Sequence, residues 1–501
     1  MKLNHENVIS RIALTYSINS QVKLDLVKDL KDSKGKEYKE DILLGKYRDF
    51  YISLICQHYQ IPKTDKDIPK YIKMHIDHGL DIINKLFDNN KNYTGLDFLI
   101  DNVDRGISAI EEADTVPGMI KNSRQDISKE AHNGEIVISV GETKSGEPIL
   151  LQLNNTTIHN NQHIAVAGNS GTGKTQFALS ILKQISAESK GAVNFIYLDF
   201  KGLKKEDEIK LKSFFSTTNA KFVNAPDVAF PLHPMSFIDN VNAKTRAMGI
   251  NKFVEIITKY ASLGKVQEQI LKDATRQAFD EMKSGEYPTF EDIYNHVQNI
   301  EGGKRSRLHE YLTTMTELQP FSYEVNSQET FLNKNYYLSL SGDMPDSIRL
   351  TCTFLLINYI YNVFMNMNNA PVENDVQSMR YVLLIDEAHT VFKEKKSQEI
   401  LERMLREIRS KGVSVILVSQ GIAEFNQPSF DFSSMCETAY LLEIKDKTNI
   451  KSMLKFLGLG DKDIQPLARC MEQIIKGQAV TNMKEIKKIE LFKISQFYEQ
   501  K

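Results

Sequence analysis

The spacing of apolar residues changes several times along this chain, and each change marks a boundary. From about Glu6 to Asn89 apolar positions recur at helical spacing: Val8, Ile9, Ile12 and Ala13 share one face, then Tyr51, Leu54, Ile55 and Tyr59, then Ile76, Leu80, Ile83 and Leu86. This predicts a small all-α N-terminal domain over residues 1–110. The pattern loosens between Asn89 and Asn133, broken at Thr115-Val116-Pro117-Gly118, so residues 111–133 read as a linker. At Gly134 the period drops to two, through Ile136, Ile138 and Val140 and again from Pro148 to Leu153, around the turn Lys144-Ser145-Gly146-Glu147. That is the pattern of a β-hairpin, a lead-in over residues 134–160.

Beyond it, buried-strand candidates at His163–Ala167, Asn194–Asp199, Tyr336–Leu340, Tyr381–Ile385 and Val413–Ser419 alternate with helical segments. Continuous apolar runs separated by helices predict an α/β domain over 161–490, built on a mostly parallel sheet covered by helices. Residues 240–320 read as helical throughout, with Ile256, Ile257, Tyr260, Ile270, Ala274 and Phe279 at helical spacing, hence a helical insertion between core strands. From Leu454 the sequence predicts a helix and then a mixed segment rich in Lys and Ile.

Composition changes this picture little. The 63 basic and 65 acidic residues nearly cancel, which excludes a uniformly basic nucleic-acid coat but leaves room for a local basic channel. Cys56, Cys352, Cys436 and Cys470 are scattered without a CxxC pair, pointing to reduced thiols rather than a zinc site or a disulfide framework. The start, Met1-Lys2-Leu3-Asn4-His5, lacks the apolar run of a signal peptide, and the longest apolar stretches look strand-sized. The expectation is a cytoplasmic protein with no membrane span.

The chemistry is concentrated at strand ends. Gly168-Asn169-Ser170-Gly171-Thr172-Gly173-Lys174-Thr175 fits GxxxxGK[ST], directly after the apolar run Ile164–Ala167 and directly before a helical segment. Glycines let backbone N–H groups curl round the phosphates of ATP, a lysine reaches the β and γ oxygens, and a threonine hydroxyl serves magnesium. Tyr381-Val382-Leu383-Leu384-Ile385-Asp386-Glu387 is a buried strand ending in two carboxylates: Asp386 would hold magnesium, and Glu387 would orient and deprotonate the attacking water. Gln420, at the end of the strand Val413–Ser419, is placed to sense the γ-phosphate. Arg406 and Arg409 lie three apart on a predicted helix, share a face, and are candidates for an arginine finger on a neighbouring subunit's ATP. Asp199-Phe200-Lys201-Gly202 closes the second core strand, as a nucleotide-side or DNA-side loop or as a plain turn. His75 and His78 sit one helical turn apart without a third ligand, which favours a structural role.

Taken together, His163 to Lys174, the Asp199 turn, Ile385-Asp386-Glu387-Ala388-His389 and Leu405 to Gly412 leading into Val418-Ser419-Gln420 resemble the HerA/FtsK superfamily of hexameric DNA-translocating ATPases, over residues 134–490. The segment Leu340 to Phe364, with Ser341-Gly342-Asp343-Met344-Pro345, is similar to the strand and helix that precede the carboxylate strand in that superfamily. The resemblance implies a RecA-like core, ATP and Mg2+ as ligands, a homo-oligomer of six, duplex DNA as partner, and Arg409 ahead of Arg406 as the arginine acting in trans. The hairpin is similar to part of the HerA N-terminal barrel, without a complete barrel.

Asn7 to Ser17, Gly35-Lys36-Glu37-Tyr38 and His75-Ile76-Asp77-His78-Gly79-Leu80 resemble DndE, a small helical protein of bacterial DNA phosphorothioation systems. That resemblance implies a DNA-contacting module, with Lys23, Lys28, Lys31, Lys34, Lys36 and Lys39 as candidate phosphate contacts. It also implies a place in DNA modification or anti-phage defence, with a nuclease or a modification protein as partner. A non-translocating ATP switch or scaffold that assembles proteins on DNA is the alternative.

Overall fold

The computed structural model describes residues 6–20, 22–32, 38–89, 95, 98, 129–203, 209–239, 242–283, 285–323, 331–340, 344–392, 395–427, 430–445 and 447–499. The breaker Thr115–Gly118, most of the expected linker, Lys34-Gly35-Lys36-Glu37 and Ser341-Gly342-Asp343 lie outside them. The chain divides into two compact units, Met1–Lys121 and Asn122–Lys501.

The first unit is helical, with helices at Glu6–Asn19, Glu40–Leu44, Arg48–Tyr59 and Ile68–Asn89. Its buried apolar side chains include Ala13, Leu14, Leu44, Ile52, Ile55, Ile72, Met74 and Phe98, whereas Val8 and Ile9 are only half-buried. The first helix therefore turns its Ala13 and Leu14 side inward. Gly79 explains how closely it packs: a Cβ there would lie 1.8 Å from the Ala13 carbonyl oxygen, so these two helices cross backbone to backbone. Ser17, fully buried beside this crossing, bridges His75 Nδ1 at 2.7 Å and His78 Nδ1 at 2.8 Å, and His75 Nε2 lies 2.8 Å from the Tyr59 hydroxyl. Both histidines are tied into the fold, as their spacing suggests.

The second unit is built on strands β1 (Val137–Glu142), β2 (Pro148–Gln152), β3 (Ile164–Ala167), β4 (Asn194–Asp199), β5 (Lys221–Ala225), β6 (Tyr336–Leu340), β7 (Val372–Glu373), β8 (Val376–Gln377), β9 (Tyr381–Asp386), β10 (Val413–Ser419), β11 (Thr438–Leu442), β12 (Gln478–Thr481) and β13 (Phe492–Ile494). Eleven of them form one sheet in the order β2-β1-β13-β12-β11-β3-β10-β9-β4-β6-β5, and β7 with β8 makes a separate ribbon. The run from β11 to β5 is parallel, and the edge from β12 to β2 is antiparallel. The sheet is thus mostly parallel. The hairpin forms as β1 and β2 and extends the sheet through the pairing of β1 with β13, and the C-terminal mixed segment supplies β12 and β13.

Strand alternation sorts the side chains onto two faces. Ala165, Leu198, Leu383, Ile385, Val415 and Leu417 pack on one side, Ile164, Val166, Tyr197, Leu384, Ile416 and Val418 on the other. The first side is covered by the insertion, whose helices Ala243–Tyr260, Lys265–Glu281, Phe290–Glu301 and Arg307–Leu318 lie between β5 and β6 in sequence. Three of them start on side-chain caps: Asn242 accepts from Lys244 and Thr245 N–H, Thr289 forms a capping box with Asp292, and Ser306 accepts from His309 N–H. The helix Asp346–Met365 is apolar all round and its hydrophobic window is 72% buried. It is long and apolar enough to cross a membrane, so the longest apolar stretch is a core helix and not strand-sized.

Candidate functional site

The parallel strands carry their C-terminal ends to one edge of the sheet, and the sequence motifs meet there. β3 runs into the glycine loop, whose turns depend on Gly171 at φ 82° and Gly173 at φ 108°, a region that side chains disfavour. The helix Lys174–Glu188 then begins with its unpaired N–H groups facing the loop. The N–H groups of Ser170, Gly171 and Gly173 make no hydrogen bond among the described residues, so the loop presents donors to an anion. Lys174 folds back over it, donating to Gly168 O at 2.7 Å and Asn169 O at 2.9 Å. Burial pulls its ammonium below the ordinary lysine value, while Glu387, Asp386 and Glu424 act against that shift.

Asp386 ends β9 in register with Asp199 at the end of β4. Its carboxylate is 5% exposed and accepts from the Tyr197 hydroxyl at 2.6 Å and the Thr175 hydroxyl at 3.3 Å. Burial drives its pKa up to about 6, which the Tyr197 hydrogen bond opposes and the Asp199 and Glu387 charges reinforce. Asp199 is likewise raised by burial, and it accepts from Tyr337 at 2.8 Å and from Lys201 and Gly202 N–H, so the Asp199–Gly202 segment is a hydrogen-bonded turn beside the site. A carboxylate pressed out of its preferred charge state, with a hydroxyl beside it and phosphates expected above, is a fitting oxygen donor set for Mg2+. The cation would relieve the cost of burying that charge.

Glu387 has a left-handed backbone, φ 54°, and its N–H donates to Asp386 Oδ1 at 2.9 Å. Gln420, exposed at the end of β10, donates to Glu387 Oε1 at 2.8 Å. His389 Nδ1 stands 3.3 Å from Glu387 Oε2 without a hydrogen bond between them, and 3.8 Å from Glu424 Oε2. Glu424 in turn accepts from the Ser419 hydroxyl and from the N–H groups of Gln420 at 3.1 Å and Gly421 at 3.2 Å, which fixes the end of β10.

The structure therefore brings Lys174, Thr175, Asp386, Glu387 and Gln420 together and leaves both arginines elsewhere. The helix Lys395–Glu407 ends before Arg409, which sits in a 3₁₀ turn, Ile408–Lys411, ahead of β10. Because β10 parallels β3, this turn is at the opposite edge of the sheet from the glycine loop, about 23 Å away for seven residues of strand. Arg409 is exposed. Arg406 is engaged with its own helix through Glu402 at 2.9 Å, and its guanidinium lies 5.5 Å from the Phe430 ring centre.

Sequence reasoning missed Tyr197 and Tyr337, which stack at 4.5 Å and give one hydroxyl each to Asp386 and Asp199. Their signal was a tyrosine two residues before Asp199 and another in β6, at facing register positions of neighbouring strands. It also missed His163, fully buried and held neutral with a pKa pushed down to about 4 by burial, which accepts from Val415 N–H and donates to Leu405 O, so joining β3 to the arginine-bearing helix.

Residues 152–484, more than half of the chain, match the profile of the AAA-like domain, and residues 1–91 match that of the DNA sulphur modification protein DndE. The fold is similar to VirB4 of Thermoanaerobacter pseudethanolicus, with a TM-score of 0.53 at 15% identity over 73% of this chain and 98% of that one. The bacterial conjugative coupling protein TrwBdeltaN70 in its unbound form gives 0.43 at 11% identity, over 74% and 91%. No curated protein matches the chain in sequence.

Proposed function

Because the chain belongs to the AAA-like domain family, is a P-loop ATPase and carries an N-terminal DndE domain, we propose that it is a DNA-dependent ring motor, of six subunits by its resemblance to hexameric translocases, acting in DNA phosphorothioation or a defence system linked to it. One observation carries this reading: Arg409 is exposed at the edge of the sheet opposite its own glycine loop, so it completes an ATP site only in a neighbouring subunit.

In the mechanism, Lys174 exchanges the carbonyls of Gly168 and Asn169 for the β and γ phosphate oxygens. Thr175 and Asp386 would hold Mg2+, which when bound supplies positive charge against the phosphate oxygens. Gln420 releases Glu387 as its amide turns to the γ-phosphate. Glu387 then takes a proton from water, the water oxygen bonds to the γ-phosphorus, and the bond to the β-phosphate oxygen breaks to leave ADP and phosphate. Arg409 of the neighbour neutralises charge developing on the γ-phosphate, worth about 10³ to 10⁵ in rate where such fingers act.

Mixing two impaired variants tests the reading. Glu387→Gln keeps nucleotide and stalls, Arg409→Ala turns over slowly, and rings mixed from both recover activity at junctions where an intact Glu387 meets an intact Arg409. A fully active Arg409→Ala ring, or mixtures no faster than their components, would overturn it.

A further inference from the structure

The exposed side chain of Arg409 stands on a backbone held at four successive carbonyls. Gln377 Nε2 donates to Arg409 O at 3.1 Å, Ala370 N to Ser410 O at 2.8 Å, Arg380 Nη1 to Lys411 O at 2.8 Å and Arg380 N to Gly412 O at 2.7 Å. The turn closes on Gly412 at φ 72°, where a Cβ would lie 2.5 Å from Ser378 O, so the chain there runs against the β8–β9 connection. Gln377 is itself oriented, since Gln162 Nε2 donates to its Oε1 at 3.0 Å.

Arg380 is 8% exposed, and its guanidinium donates to three backbone carbonyls: Lys129 at 3.1 Å, Asn368 at 3.0 Å and Lys411. No carboxylate pairs with it among the described residues. Burying a guanidinium against neutral acceptors is costly, and a well-packed apolar side chain would avoid that cost. What the arginine provides is geometry, a planar fork that fixes the end of the Arg409 turn against the segments at Lys129 and Asn368.

We propose that Gln377 and Arg380 are positioning residues for the trans-acting Arg409, holding its turn rigid so that the guanidinium is delivered to the neighbouring subunit's ATP. This rests on the trans reading of Arg409. Misplacement by about 1 Å costs up to about a hundredfold in rate, so a finger reaching across an interface needs such a platform.

A double-mutant cycle separates positioning from general stability. DNA-stimulated kcat and KM for ATP are measured for the full-length protein, Gln377→Ala, Arg409→Ala and the double variant, with Arg380→Lys as a second probe that keeps the charge and loses the fork. Expected are a kcat lowered about 10- to 100-fold in Gln377→Ala and Arg380→Lys, a KM within about twofold, and a double variant no slower than Arg409→Ala alone. A further drop in the double variant equal to that of Gln377→Ala alone overturns positioning and makes Gln377 a general structural residue. Full activity of Gln377→Ala and Arg380→Lys beside an impaired Arg409→Ala overturns positioning while leaving the trans reading intact. Full activity of Arg409→Ala overturns both.

Discussion

At the scale of single residues, the site depends on groups that sequence motifs name and on groups they do not. Asp386 is held by Tyr197, whose hydroxyl is its shortest donor, in a setting that pushes the carboxylate up to about 6. Tyr197→Phe removes that donor and leaves the ring stacked on Tyr337. A hydrogen bond to a charged group is worth about 1.5–3 kcal/mol, so the variant should need about 10- to 100-fold more Mg2+ for half-maximal nucleotide binding, with metal-free binding unchanged. A magnesium titration of a fluorescent ATP analogue reads this, and an unchanged magnesium requirement would remove Tyr197 from the site. The glycine loop and Asp386-Glu387 were legible because each is contiguous and ends an apolar run. Tyr197 and His163 were not, because each acts through a partner distant in sequence: Asp386 for the first and Leu405 for the second.

At the scale of elements, the long apolar strands announced themselves and the short ones did not. β4, β6 and β10 occupy the spans their apolar runs predict, whereas β5 reads Lys-Phe-Val-Asn-Ala and β13 has three residues, too few for any period to show. The hairpin's destination depended on β13, some 350 residues downstream in sequence and invisible to a local window. The helix pair in the first unit carries its own prediction. His75 is fully buried among Ser17, Tyr59, His58 and His78, and burial pushes its pKa down to about 4. A histidine depressed in the folded state contributes its full stability above its unfolded value of about 6.5, and loses it as pH falls from there toward 4. The loss amounts to about 3 kcal/mol at most. Amide exchange in the full chain, corrected for intrinsic rates, should show protection of Glu6–Asn19 and Ile68–Asn89 falling over that window. Protection independent of pH between 6.5 and 4 would mean His75 titrates without cost.

At the scale of the whole molecule, the α/β class and the helical first unit were readable because both rest on long-range periodicity. Assembly was only hinted at by sequence: the family resemblance puts Arg409 ahead of Arg406, and in the fold Arg406 is tied to Glu402 while Arg409 stands exposed on a pinned turn. The central claim is that hydrolysis at Lys174, Glu387 and the neighbour's Arg409 is coupled to DNA. The most direct test is ATP turnover by the full chain with and without duplex DNA, with Lys174→Ala as the blank. The account predicts that DNA raises turnover by an order of magnitude or more over the basal rate and that Lys174→Ala abolishes both rates. A turnover that duplex DNA leaves unchanged would contradict the motor and leave an ATP-driven assembly switch in its place.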